Sequence, residues 1–239
     1  MTAEQLDRIR EAACERHRKI KLGHGQDHIL RTEKLALKIL DNTGDPVIAA
    51  AIALLHDIDD YKLTPEYQAS HTVPADPDRQ ANARRILDEA GIPEPERNHI
   101  LDGILTIGFS RRKAGVVPET PEARAVSDAD MIDIMGAIGL VRLCEWHNGD
   151  ISRVFDPESI PDPDKPREEY MQAQNDTIVG HMFEKILLLP RYMLTEKGKR
   201  EAWIRWSFNV TFLRCLFHEL DQPAWEQYLH DYLQNTILR

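Results

Sequence analysis

No apolar run in this 239-residue chain approaches the roughly 18 residues that a membrane-spanning helix needs. The start, Met-Thr-Ala-Glu-Gln-Leu-Asp-Arg, also lacks the apolar stretch of a signal peptide. Cysteine is scarce: Cys14, Cys144 and Cys215 lie far apart and form no Cys-x-x-Cys pair. They read as reduced core or near-core residues, so a cytoplasmic location is expected. Positive charge is in deficit, with a formal net charge of −10. That argues against a nucleic-acid polymer as partner, because such binding depends on a basic surface. A nucleotide stays open as a ligand, since a bound metal can reverse the local field. Alternating strand patterns, internal repeats and low-complexity tracts are missing as well.

What remains is helix after helix. Residues about 3–20 carry Leu6, Ile9, Ala13 and Arg16 at helical spacing, and about 27–42 carry Ile29, Leu30, Leu35, Ala36, Ile39 and Leu40. Asp45-Pro46 reads as an N-cap followed by proline in the first turn. The helix it opens is apolar on nearly every face and belongs in the core. Thr64-Pro65-Glu66 is another start signal, Gln80–Ala90 is stopped by Gly91, and Ile92-Pro93-Glu94 opens a helix to about Ile107. Thr120-Pro121 opens a helix expected to run to about His147, with Gly136 and Gly139 marking a close neighbouring backbone. Prolines 157, 161, 163 and 166 make residues 148–167 a loop, and helices are expected over about 168–189, 195–219 and 222–237. The fold class is all-α: a single domain over 1–239 with core motifs at about 20–147, its C-terminal helices 168–239 packed on the same core. Trp225, Tyr228, Leu229, Tyr232 and Leu233 share one face of the last helix and read as internal core.

The apolar segment Val47–Leu55 ends on His56-Asp57. Burying an ionised side chain unpaired is costly, so a His-Asp doublet at that position calls for a reason. His28 upstream and Asp130 downstream complete a set of two imidazoles and two carboxylates. Such a mixed nitrogen and oxygen set suits a divalent cation and leaves room for water. Helical bundles build metal sites in this way, from side chains on facing helices.

Four segments in order carry a resemblance. They are His24-Gly25-Gln26-Asp27-His28-Ile29-Leu30-Arg31, the doublet His56-Asp57, Asp128-Ala129-Asp130-Met131-Ile132-Asp133 running on to Gly136-Ala137-Ile138-Gly139, and His181-Met182-Phe183-Glu184-Lys185 followed by Gly198-Lys199. Together they resemble the HD-domain phosphohydrolase superfamily, closest to its small bacterial branch related to nucleotide pyrophosphohydrolases. The resemblance implies an all-helical enzyme with one divalent metal ion held by His28, His56, Asp57 and Asp130. Manganese comes first as the cation, with magnesium, iron, nickel, cobalt and zinc behind it. Asp128 is the reserve ligand, and Asp133 a cap or hydrogen-bond acceptor. In related nucleotidases an acidic residue at the spacing of Asp60 is proposed to activate the water. Arg31 could donate two hydrogen bonds to a phosphate, and His24, Lys62 and Lys185 are the other substrate-binding candidates. Gly25 departs from the branch's aspartate, Met131 from its arginine, and Ile107-Gly108-Phe109-Ser110 from a histidine-containing stretch.

The expected function is hydrolysis of a small phosphorylated compound, most plausibly a nucleotide, at a pyrophosphate or phosphomonoester bond. A non-catalytic nucleotide-binding HD regulatory domain is the alternative, and an iron oxygenase a third; both keep the fold but alter the ligand set. The chain is expected as a monomer or homodimer. Residues 148–167 are expected to form a mobile flap beside the metal.

Overall fold

Short-range capping chemistry starts the first helices. In the computed structural model, which describes residues 1–18, 20, 23–61, 64, 80–147, 149–164 and 177–237, α1 (Ala3–His17) opens with a reciprocal cap. The Thr2 hydroxyl accepts from Gln5 N at 3.2 Å and Gln5 Oε1 accepts from Thr2 N at 2.8 Å. The start of α3 (Pro46–Leu55) is capped by Asp45, whose carboxylate accepts from Val47 N at 2.8 Å. No residue among those described forms a strand. The start signal at Thr64-Pro65-Glu66 falls largely outside the described residues, as does Lys62.

The chain divides into two compact units, Met1–Met131 and Ile132–Arg239. In the first, α3 is central: Ile48 to Leu55 are all buried, as their nearly unbroken apolar sequence requires. Against it pack α1, α2 (Gln26–Ile39) and α5 (Glu94–Leu105), while α4 (Ala81–Glu89) lies against α1 and α5. Asp59 caps α4 from a distance, accepting from Asn82 N at 3.0 Å, Asn82 Nδ2 at 2.6 Å and Ala83 N at 2.9 Å. A solvated helix end is the default reading of such an aspartate, and here it is displaced by three hydrogen bonds to a neighbour. Helix α5 stops at Leu105, before Ile107; Gly108 then takes a positive φ of 117° ahead of the short α6 (Phe109–Lys113).

The single helix expected over 120–147 is two: α7 (Pro121–Asp133) and α8 (Gly136–Trp146). The break lies at Gly136, whose φ of 74° suits a residue without Cβ. Its N–H donates to the buried Asn209 Oδ1 at 2.9 Å, and Arg205 Nη1 donates to the Ile132 carbonyl at 3.0 Å. These bonds satisfy main-chain groups that a helix end leaves orphaned.

The second unit gathers α8, α9 (Ile178–Glu184), a 3-10 stretch Ile186–Tyr192, and the long α10 (Glu196–Glu219). It closes with α11 (Pro223–Tyr232) and a π turn at Leu233–Ile237. Where a helix over about 168–189 was expected, α9 gives way at Lys185 to the tighter 3-10 coil ahead of Pro190, and 165–176 lie outside the described residues. Phe183, Phe217, Trp225 and Tyr232 form its aromatic core, with the Tyr232 hydroxyl donating to the Phe183 carbonyl at 2.6 Å. The last helix is thus internal core, as its pattern implies. Cys14 is buried, but Cys215 is exposed, contrary to a near-core reading.

Residues 149–164 are tied to this unit. One 3-10 turn, Ile151–Arg153, leads to Phe155, whose ring stacks near Trp225 and Phe217 with centroids 5.1 and 5.4 Å apart. The Val154 carbonyl accepts from Val179 N at 3.0 Å, and Asp162 N donates to Glu184 Oε1 at 3.0 Å. Of the flap expected over 148–167, the described part thus makes contacts within this unit, while 148 and 165–167 lie outside the described residues. The prolines exclude long helix, but Phe155 and the buried Pro161 still anchor it.

Candidate metal centre

Three stretches of the first unit bring the site together. Helix α2 places His28 on its buried side, in line with Ile29, Thr32 and Leu35. Helix α3 ends at Leu55, and the following turns present His56 and Asp57. Helix α7 supplies Asp130. The four residues singled out in the sequence thus converge, although His28 and Asp130 are 102 positions apart.

The donor atoms face one another. His28 Nε2 lies 3.3 Å from His56 Nε2, 3.4 Å from Asp57 Oδ2 and 3.6 Å from Asp130 Oδ1. His56 Nε2 lies 3.5 Å from Asp57 Oδ1 and 3.6 Å from Asp130 Oδ1. Ligand atoms held at about 2.0–2.2 Å from a shared cation stand roughly 3–3.5 Å apart, so His28, His56 and Asp130 come close to fitting a common ion, while Asp57 meets the two imidazoles with different oxygens. The His56 ring supports the fit from its other side, since Nδ1–H donates to the Ala53 carbonyl at 2.7 Å and Nε2 is left to face the cluster. A metal-binding imidazole is usually fixed in this manner. Thr32 Oγ1 stands 3.5 Å from His28 Nδ1.

His24 also reaches the cluster. Its Nδ1 lies 3.0 Å from Asp57 Oδ2, so the side chain assigned to substrate touches a proposed ligand. Among the described residues two overlapping groups can hold a cation: His28, His56 and Asp130, and His24, His28 and Asp57.

Electrostatics set a demand for positive charge. Burial works against a charged His56, yet Asp57 and Asp130 outweigh it and push the imidazole up to about 10. Burial likewise opposes ionisation of Asp57, but the His56 charge and the bonds from His24 and His28 hold its carboxyl well below the usual range. Asp130 is held low against burial, chiefly by its bond to His56. Without a cation, the cluster therefore takes up a proton at neutral pH.

The remaining candidates are spread out. Asp60 follows Asp57 by one tight turn, with Asp60 N donating to the Asp57 carbonyl at 3.0 Å, and is half-buried. Arg31 is half-buried on α2, one turn beyond His28. Lys185 lies in the second unit, where it ends α9. Asp128 is fully buried, and Asp133 accepts from Arg142 Nη1 at 2.8 Å in a buried ion pair. Met131, in place of the branch's arginine, is buried among apolar residues of the core. At Gly25 a Cβ would stand 2.9 Å from the Ile20 carbonyl oxygen, so the branch's aspartate does not fit without movement.

Sequence reading missed His17. It is fully buried, and its Nδ1–H donates to the His24 carbonyl at 2.9 Å. Burial pushes its imidazole down, so it is neutral. The signal was present: Ile9, Ala13 and His17 follow one another at intervals of four along the buried side of α1.

Comparisons with known proteins bear on the family and the fold. The family model of the HD domain matches residues 25–135. The Bacillus subtilis protein YpgQ, itself uncharacterised, is 26% identical over 207 residues, covering 84% of this chain and 86% of that protein. A Lactobacillus plantarum protein of known structure has a TM-score of 0.76 at 25% identity, covering 92% of this chain and 98% of its own. An HD-superfamily hydrolase from Bacillus thuringiensis has a TM-score of 0.63 at 25% identity, covering 91% and 97%. YpgQ in complex with ADP has a TM-score of 0.62 at 23% identity, covering 90% and 97%.

Proposed function

We propose, from the HD domain that residues 25–135 form, that this protein is a metal-dependent phosphohydrolase acting on a small phosphorylated compound, most plausibly a nucleotide. The observation that carries the reading is the convergence of His28, His56, Asp57 and Asp130, in which each imidazole Nε2 lies 3.3–3.6 Å from the other and from an oxygen of both carboxylates. The two compact units serve one function in this reading, because the relatives match across both. The YpgQ complex with ADP supports a nucleotide as the ligand.

His28, His56, Asp57 and Asp130 would hold one divalent ion, with manganese favoured because a six-coordinate ion keeps positions open beyond four protein ligands. The chemistry such an ion supplies is acidification of a bound water and neutralisation of charge on a phosphoryl oxygen. Asp60 takes up the proton that the attacking water gives up, as a carboxylate fixed one turn from Asp57 can. Arg31 donates to phosphate oxygens from the face of α2 that carries His28. His24 orients Asp57 and borders the substrate. Lys185 is a further phosphate partner proposed on the family pattern alone, and Lys62 one proposed only as a nearby cation in the sequence.

The test is a phosphate-release screen over nucleoside mono-, di- and triphosphates with added manganese, run in parallel on His56→Ala. Metal-dependent release that disappears in the variant supports the reading. Nucleotide binding without release in any arm would favour a regulatory domain.

A further inference from the structure

His17 lies outside every motif that defines the site, yet it is fully buried on α1 beside the entry to α2. One ring nitrogen, Nδ1, donates to the His24 carbonyl at 2.9 Å. The other, Nε2, is sealed from solvent with no hydrogen-bond partner. A phenyl ring would occupy the same place without stranding a polar atom in the interior, which is unfavourable. What the imidazole adds is the bond to His24.

That bond acts where two described stretches of backbone approach closely. Ile20 N donates to the His17 carbonyl at 3.0 Å, and the Ile20 carbonyl comes so near Gly25 that a Cβ there would stand 2.9 Å away. The main chain of His24 is held from α1, and its side chain reaches Asp57 Oδ2 at 3.0 Å. The same oxygen lies 3.4 Å from His28 Nε2. We infer that His17 is a positioning residue, fixing His24 and through it the Asp57 carboxylate for the cation. Orientation that the branch's aspartate could supply at position 25 comes here from α1, because the close backbone leaves no room for a side chain at Gly25. The inference rests on the metal-centre reading above.

Co(II) alone is the probe, followed by its visible absorption, with His17→Phe and His17→Asn compared with wild type. Loss of a group that orients a metal ligand typically weakens metal affinity about 10–100-fold, and that loss is expected in His17→Phe. His17→Asn returns an amide N–H near the position of Nδ1 and is expected to regain most of the affinity and the wild-type spectrum. In the metal-free wild type, long-range proton–nitrogen NMR correlations should show His17 with its proton on Nδ1. Unchanged Co(II) affinity and spectrum in His17→Phe would overturn the inference alone. So would a wild-type His17 carrying its proton on Nε2, a readout that decides the matter even if His17→Phe fails to fold. A wild-type protein that takes up no Co(II) would overturn the metal centre and this inference together.

Discussion

The two units bury charge differently. In Ile132–Arg239 the described buried polar groups meet partners singly: Asp133 meets Arg142, the Tyr232 hydroxyl meets the Phe183 carbonyl, and Asn209 Oδ1 accepts from Gly136 N while its Nδ2 is left without a partner. In Met1–Met131 each of two imidazoles lies within 3.6 Å of the other and of two carboxylates, and His17 keeps a stranded nitrogen. Such a group is costly in a dry interior unless something of opposite charge completes it. The first unit thus gathers four ionisable side chains in one place, where the second pairs its buried charges one to one. Natural folds break local rules chiefly at functional sites.

The widest separation of the two units is expected from Asp57→Ala. It removes a carboxylate that meets both His24 and His28, so metal-dependent hydrolysis should fall by about 10²–10³-fold, the range typical for loss of a major charge-stabilising group. Elemental analysis after mild purification should find little cation, and full occupancy in this variant would remove Asp57 from the ligand set. Phe217→Ala is the mirror experiment in the aromatic unit. Truncating a buried Phe costs about 3–5 kcal/mol, read as a lowered denaturation midpoint, while metal affinity measured well below the transition stays unchanged. A large loss of affinity there would show that the two interiors are not energetically separate.

Within the first unit, neighbouring aspartates sharpen the contrast. Asp60→Asn is expected to lose about 10²–10⁴ in turnover, the usual worth of a general base, and to keep its metal. Wild-type turnover across neutral pH would return Asp60 to a surface role. Asp59→Ala should do the reverse: about 1 kcal/mol of stability is lost with the cap of α4, and kcat is unaffected.

Smaller still is a pH effect. His56 is raised from 6.5 to about 10 in the metal-free fold. The stability its charge supplies is therefore complete below about 6.5 and lost as pH rises toward 10. A cation needs the unprotonated Nε2, so binding near pH 8 expels one proton, and apparent affinity climbs by up to about tenfold per pH unit until about 10. Calorimetry at pH 8 in buffers of different ionisation heat measures that proton. A value of zero would mean that His56 is already neutral before the metal arrives.

Sequence alone determined the helical class and most helix starts, because Thr2, Asp45 with Pro46, and Pro223 act on the N–H groups within one turn of themselves. It also singled out the metal candidates: His56-Asp57 closing an apolar helix raised the question, and the ordered motifs that resemble the HD superfamily pointed to His28 and Asp130 as their companions. Tertiary structure decided what depends on distant partners. The split of the helix at Gly136 answers to Arg205 and Asn209, some seventy residues away. Asp59 became a cap only because α4 begins beside it, and His24 joined Asp57 only because α1 holds its main chain. Local rules reach about four residues along a helix; a side chain whose partner lies on another element shows its role only when the chain has brought the two within a hydrogen bond's length.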